Sequence, residues 1–238
     1  MKKKSIRIMA IVAVVLAVVY FGFSIILGSI VTAGVNRFAP GIIHVPVTLV
    51  SARISPLSGG GTLSGLVVGN PPGWSSDRAF SMKEIHVEAS PFSILGDHIV
   101  VKDVLIDGPQ FVYETRVLTS NIGALLKGME SGADDGSAKP ATASGKPMKF
   151  EVRHFRLQNG TIRLGVGPAA IALPMPTIDL TDLGTREGGI TADQLALAIM
   201  RSVSESVVTA TTEAAGKIGS TMGAAVSSGL KGLFGGKH

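Results

Sequence analysis

The sequence predicts an α+β protein, mainly β. An N-terminal transmembrane helix precedes an antiparallel sheet, a short mid-chain helix and a long C-terminal amphipathic helix. Three observations carry this. Ile8–Val31 is an almost unbroken apolar run behind a basic flank. Between Val45 and Leu180, short alternating apolar runs are separated by Gly, Pro and Asn, the pattern of strands and turns. From Thr191 the apolar spacing lengthens to nearly four residues, the period of an amphipathic helix.

The apolar run is interrupted only by Tyr20, Ser24, Ser29 and small residues. About 20 residues at 1.5 Å each cross a hydrocarbon core of about 30 Å, so Ile8–Val31 is long enough. Lys2, Lys3, Lys4 and Arg7 precede it, which orients the N-terminus to the cytoplasm and the bulk of the chain outward. A cleaved signal peptide is the competing reading, with Val31-Thr32-Ala33 as a small-residue site. The run exceeds the roughly 7–15 residues of a signal core, which favours a retained single-pass anchor. The net charge is +5 and the pI about 9.6. Without the four leading basic residues the charge falls to +1. The folded part therefore has no basic stripe, and nucleic acid is not an expected partner. There is no cysteine, which excludes disulfides, thiolate chemistry and Cys-based zinc sites.

Five segments follow from the composition: 1–35, cytoplasmic tip and anchor; 36–131, sheet region with a short helix; 132–147, a linker without large aliphatics; 148–190, a second β region; and 191–238, the C-terminal helix. Pro40-Gly41 is expected to end any helix before the sheet. Val45–Ile54, Thr62–Gly69 and Ile99–Asp107 alternate with apolar residues on both faces. In the last of these, Ile99, Val101 and Leu105 share one face. Met82–Ala89 alternates cleanly, with Ile85, Val87 and Ala89 against Glu84, His86 and Glu88. A sheet with two partly apolar faces needs a helix, a lipid, a partner chain or another copy over the second face. Thr119–Met129 reads as a helix with Ile122, Leu125, Leu126 and Met129 on one side and Thr119 or Ser120 as N-cap.

Met148–Val166 reads as a hairpin turning at Asn159-Gly160, the strongest short hairpin signal, with a bulge-like phase shift near His154-Phe155. It echoes Val100–Tyr113, which has its own turn at Asp107-Gly108-Pro109. The echo points to one sheet grown by similar units. Ile171–Pro176, with two prolines spaced by two, suits an edge strand. The final helix carries Leu195, Ile199, Val203, Val207, Ile218, Met222, Val226 and Leu230 on one stripe, a small-residue row Ala215, Gly219, Gly223 and Ser227, and a candidate break near Gly216. Leu230–Phe234 is an alternative membrane-surface contact.

The Val45–Ile122 block resembles the N-terminal region of the AsmA-like proteins of bacterial envelopes, here as a short member. The resemblance rests on Gly61-Thr62-Leu63-Ser64-Gly65-Leu66, the turn Asn70-Pro71-Pro72-Gly73-Trp74, Ala79-Phe80-Ser81-Met82 and Ile85 to Leu95. It continues through Ile99-Val100-Val101, Val104-Leu105-Ile106-Asp107-Gly108-Pro109, Tyr113-Glu114 and Ser120-Asn121-Ile122. The family is similar to TamB and other chorein-like lipid-transfer proteins. The resemblance implies an anchor in the bacterial inner membrane and a periplasmic sheet curved into a groove. That groove would bind or transfer phospholipid for outer-membrane homeostasis. Its apolar lining is expected from Ile85, Val87, Ile99, Val101 and Leu105. The alternative is a non-catalytic assembly protein that binds an envelope partner or a second copy through its sheet edge and C-terminal helix.

No enzyme or cofactor is expected. His44, His86, His98, His154 and His238 lie apart without ligand spacing. Ser58-Gly59-Gly60-Gly61 lacks the Gly-Lys-Ser/Thr ending of a phosphate loop, and no serine sits in a Gly-x-Ser-x-Gly elbow. Glu84, His86 and Glu88 share a strand face as solvated residues would.

Overall fold

The computed structural model describes residues 2–93, 96–116, 119–132, 140–142 and 145–234, with side chains from 4 to 216 except that of residue 5. Helix α1 spans Lys2–Ile43, and Ile6–Ile43 is long and apolar enough to cross a membrane. It runs past the expected stop at Pro40-Gly41. Proline forfeits one helical hydrogen bond, but the last turn is held by core contacts of Ala39 and Ile43. The His44 N–H then closes on the Pro40 carbonyl at 2.9 Å.

Ten strand segments form one sheet: β1 (Val47–Thr48), β2 (Ser51–Ile54), β3 (Gly60–Gly69), β4 (Arg78–Ala89), β5 (His98–Asp107), β6 (Gln110–Tyr113), β9 (Lys149–Gln158), β10 (Thr161–Leu164), β11 (Ile171–Pro174) and β12 (Ile178–Leu183). Two short strands, β7 (Thr115–Arg116) and β8 (Thr119–Ser120), pair separately. Several segments are collinear. β5 and β6 meet β4 in one continuous antiparallel register, 85 facing 106 and 80 facing 111. β9 and β10 likewise follow β5 and β6, and β12 and β11 follow β9 and β10. The sheet is in effect six long strands laid down in chain order.

Two expectations change here. The sheet is mixed, because β9 is parallel to β5 and β10 parallel to β6. Moreover, neither Asp107-Gly108-Pro109 nor Asn159-Gly160 makes a hairpin. Each bends a strand that carries on in the same direction. The bends stack on each other: the Gly108 N–H donates to the Gln158 carbonyl at 3.0 Å, the Thr161 N–H to Pro109 at 2.9 Å, and the Asn159 amide to Asp107 Oδ1 at 2.6 Å. Asn159 takes φ 54°, the left-handed conformation that its type tolerates. Pairing with an existing strand outweighs the local turn preference. Partners stand 51 positions apart on both sides of the bend, 98 with 149 and 110 with 161, so the two segments run side by side and bend at the same level.

Joining two parallel strands requires a crossover. Helix α2 (Asn121–Ser131) lies in this crossover. Ser120 caps it through its hydroxyl to the Gly123 N–H at 3.0 Å, and Ile122, Leu125 and Met129 are buried. The linker residues 133–139 and 143–144 lie outside the described residues. Helix α3 (Ala192–Phe234) begins at a capping box between Thr191 and Gln194. Its backbone passes Gly216 without a break. Met200, Val203 and Val207 are buried against the core. The small-residue row beyond Ala215, the later stripe residues and the side chains of Leu230–Phe234 lie outside the described side chains.

Candidate functional site

The inner face of the sheet is set by a line of phase shifts. On each long strand, two consecutive residues face away from the core at the same level: Val50-Ser51, Ser64-Gly65, Lys83-Glu84, Asp107-Gly108, Gln158-Asn159 and Pro176-Thr177. Gly65 and Gly108 adopt φ 69° and 64° there, which glycine accepts without strain. Because of the shift, Leu63 and Leu66 both face inward, as do Met82 and Ile85. A second shift crosses three strands at Lys102, Arg153 and Asp182, where pairing lapses for two residues between β5 and β9 and for one between β9 and β12, and Asp182 takes φ 56°. It turns both Val101 and Val104, and both Val152 and Phe155, to the inside. The phase change expected near His154-Phe155 belongs to this row.

Inside lies an apolar cavity of about 380 Å³. Its floor is β3, β4, β5, β6 and β9. Its roof is the C-terminal end of α1 (Val35, Ala39, Ile43), Met129 of α2 and residues 195–203 of α3. Every lining side chain is Ala, Val, Leu, Ile, Met or Phe. Leu63, Leu66, Val87, Val101, Val104, Leu195 and Ile199 are only partly buried, so the cavity opens to the surface.

Of the expected lining residues, Ile85, Val87 and Val101 stand on the wall. Ile99 is half-buried beside Phe150 and is not part of it. Leu105 faces outward, between His86 and Arg156. The row at Lys102 reverses its parity relative to Val101, so Val104 and Ile106 take the inward places. The apolar second face expected for Val45–Ile54 and Ile99–Asp107 dissolves for the same reason. Most of those residues face inward on opposite sides of a shift.

The turn Asn70-Pro71-Pro72-Gly73-Trp74 does not border this cavity. It is tied down by a buried polar knot at the opposite end of the strands from the β2–β3 turn. The Glu114 carboxylate is 7% exposed and accepts the Ser75 and Ser76 N–H groups at 2.9 and 2.7 Å, together with the Ser76 hydroxyl. Burial pushes Glu114 up, but these hydrogen bonds outweigh it and hold its pKa below the ordinary value. Asn121 is fully buried, accepts the Glu114 N–H at 3.0 Å, and donates to Val112 O and Asn70 Oδ1 at 2.7 and 2.8 Å. Arg116 stacks 4.7 Å over the Trp74 ring and donates to the Gly73 carbonyl. Glu114 and Asn121 were visible in the sequence only as parts of family-like motifs, because the partners that tie them to the turn, Ser75, Ser76 and Asn70, lie 38 to 51 positions away.

On the outer face, His154 stands between two carboxylates, Nδ1 2.6 Å from Asp103 and Nε2 2.9 Å from Asp179. The Asp103 hydrogen bond leads in raising its pKa. Arg156 grips Asp179 through Nε and Nη2 at 3.0 and 2.6 Å and leads in lowering that carboxyl. These residues form a saturated ionic ladder across β5, β9 and β12.

Compared with known proteins, the chain matches no family model, no curated protein and no solved structure.

Proposed function

We propose that this chain is a membrane-anchored, non-catalytic protein that binds the acyl part of a lipid between its sheet and its three helices, as an AsmA-like envelope protein would. The compartment that goes with this reading is the periplasmic side of a bacterial inner membrane, and the mechanism is transfer or holding of phospholipid. The observation that carries it is the wholly apolar cavity. The cavity opens to the surface, so without a ligand its apolar walls stay wet, at a cost of about 25 cal/mol per Å² of apolar surface left uncovered. Water gains nothing there, because no polar group lines the space. An apolar chain recovers the loss.

Two further features support this reading. A line at which two consecutive residues of each long strand turn outward crosses the whole sheet without a change of register, and a sheet curved along such a line would suit a groove. The cavity also reaches Val87, whose partner Gly61 faces Ile54, the residue that receives the Ser24 hydroxyl of α1. That end of the cavity lies beside the helix that is apolar enough to span a bilayer.

The alternative, strand addition to a sheet edge, is disfavoured by how both edges are blunted. The β1–β2 edge is covered by α1: the Asn36 amide satisfies both Leu49 N and Leu49 O, at 2.6 and 3.0 Å. The β11–β12 edge carries Pro174, Pro176 and the left-handed Asp182.

The test is mass spectrometry of lipids that stay with the full-length protein through exchange into a lipid-free detergent, compared with an Ala196→Phe variant. Ala196 lines the cavity. The expected result is near-stoichiometric phospholipid on the native chain and much less on the variant. Equal lipid on both removes the cavity as the site.

A further inference from the structure

Along α1 the described side chains are exposed as far as Val19, and the first that meets the folded part is Tyr20, whose hydroxyl lies 3.0 Å from Ser55 Oγ. Ser24 follows, donating to the Ile54 carbonyl at 2.5 Å, and a Cβ on Gly28 would strike the Ala52 carbonyl. The sheet edge is thus fastened to the helix from Tyr20 onward. The free apolar part, Ile8–Val19, is about 18 Å long at 1.5 Å per residue. A hydrocarbon core is about 30 Å thick, so the free helix is about 12 Å short. The outward side of α1 nevertheless stays apolar well past the junction, with Phe21 at 65%, Ile25 at 70% and Ile30 at 60% exposure. From Ile8 to Ile30 the helix covers about 35 Å, which is a full span. The first charged residue after Arg7 is Arg37. The span can be completed only with the segment that already carries the sheet.

The end of the sheet at this junction is built for such a place. Outside α1, the two most exposed large apolar side chains among the described residues are Phe92, at 91%, and Leu57, at 80%. Leu57 lies in the turn between β2 and β3, next to Ser55. Phe92 lies in the loop after β4. The two loops touch: the Ala89 N–H donates to the Gly59 carbonyl at 2.9 Å, and a Cβ on Gly59 would lie 3.2 Å from Pro91 Cδ. Of the charges close to these loops in sequence, Glu88 and Lys102 pair at 3.0 Å, while Arg53 and Asp97 are exposed and can reach the headgroup layer as long or loop-borne side chains do at an interface.

We infer that the tip formed by Leu57 and Phe92 is inserted into the same bilayer that α1 spans, so that the folded part sits in the leaflet interface rather than on a stalk above it. This rests on the reading of α1 as a membrane span. A depth of about 5–10 Å suits apolar residues at the headgroup–acyl boundary and lies within the 12 Å shortfall. It also brings the Val87 end of the cavity to the level at which acyl chains begin.

The absence of native cysteine allows a direct test. Single variants Val14→Cys, Leu57→Cys, Phe92→Cys and Pro72→Cys are labelled with an environment-sensitive fluorophore. The full chain is reconstituted in phosphatidylethanolamine–phosphatidylglycerol vesicles containing a lipid with a nitroxide near its headgroup. Val14 is an exposed α1 residue, and Pro72 lies in the turn at the far end of the strands. The inference expects blue-shifted emission and strong quenching at positions 57 and 92, a blue-shifted label at 14, and a polar, unquenched label at 72. A blue-shifted label at 14 with labels at 57 and 92 that behave like the one at 72 overturns the inference and leaves the span standing. A polar label at 14 overturns the span and the inference with it.

Discussion

Replacing Glu114 by glutamine tests whether the polar knot holds the Asn70–Trp74 turn. The native carboxylate accepts two backbone N–H groups and a hydroxyl while almost fully buried. Glutamine presents one oxygen and one NH₂, so it can accept from Ser75 or Ser76 but must face the other N–H with a donor. One buried donor is then unpaired, at about 1–3 kcal/mol, and the remaining bonds lose their charge assistance, for a total of about 2–4 kcal/mol. Trp74 is the only tryptophan and stacks under Arg116 in the same knot, so its fluorescence reports the site in a urea titration. Glu114→Gln is expected to move the midpoint to lower urea by that amount. The pH dependence gives an independent check. Because the folded pKa lies below the ordinary value of 4.5, the carboxylate's contribution is full above 4.5 and is lost as pH falls through the folded value. The native chain should therefore lose stability in acid more steeply than the variant. A variant within about 0.5 kcal/mol of native, with the same acid limb, would refute the account.

The ionic ladder makes a weaker, opposite prediction at the alkaline side. His154 is raised and Asp179 lowered, so both contributions are full between the ordinary values, 3.8 and 6.5. The histidine part is lost as pH rises through its folded value. The native chain should melt slightly higher at about pH 5 than at about pH 8, and His154→Gln should abolish that histidine-linked difference. At Gly28, a leucine would collide with the Ala52 carbonyl. Gly28→Leu should unseat α1 from β2, expose the edge and produce higher oligomers on size-exclusion chromatography. Gly22→Leu, with nothing within 4 Å of the new Cβ, should not.

The long-period features were legible from the sequence. The apolar run, the Ser120 cap, the α3 stripe and the edge character of Ile171–Pro176 each depend on residues close in sequence. The phase shifts were not. Lys83-Glu84 and Asn159-Gly160 are visible as irregularities, but only pairing shows that they fall on one line with Gly65 and Gly108. A strand's faces are defined modulo two, so one extra residue sends the next apolar set to the other side. Leu63 and Leu66 look opposed in sequence and face the same cavity in the fold. Leu105, grouped with Val101 by parity, ends on the polar face. The Asn159-Gly160 hairpin failed in another way: the local turn preference was genuine, but the parallel neighbour offered a full ladder of hydrogen bonds.

That parallel neighbour also accounts for the cavity. A hairpin at either bend would need no crossover, and α2 would have no reason to lie over the sheet. The crossover brings Met129 to the roof, while α1 and α3 close the other sides. The space left is either a packing defect or a binding site, and Ala196→Phe separates the two through the sign of its effect. Filling the space buries an aromatic side chain, worth about 1.5–3 kcal/mol when fully buried. Stripped of lipid, the variant should be more stable than the native chain under either account. A ligand stabilises the native chain by RT ln(1 + [L]/Kd), about 2.7 kcal/mol at a hundredfold excess over Kd, and the variant forfeits that gain. With phospholipid added, the native chain should therefore rise in melting temperature while the variant stays still, so that its advantage shrinks or reverses. If both move together, lipid acts elsewhere on the protein, and the cavity is a defect that α1, α2 and α3 fail to fill.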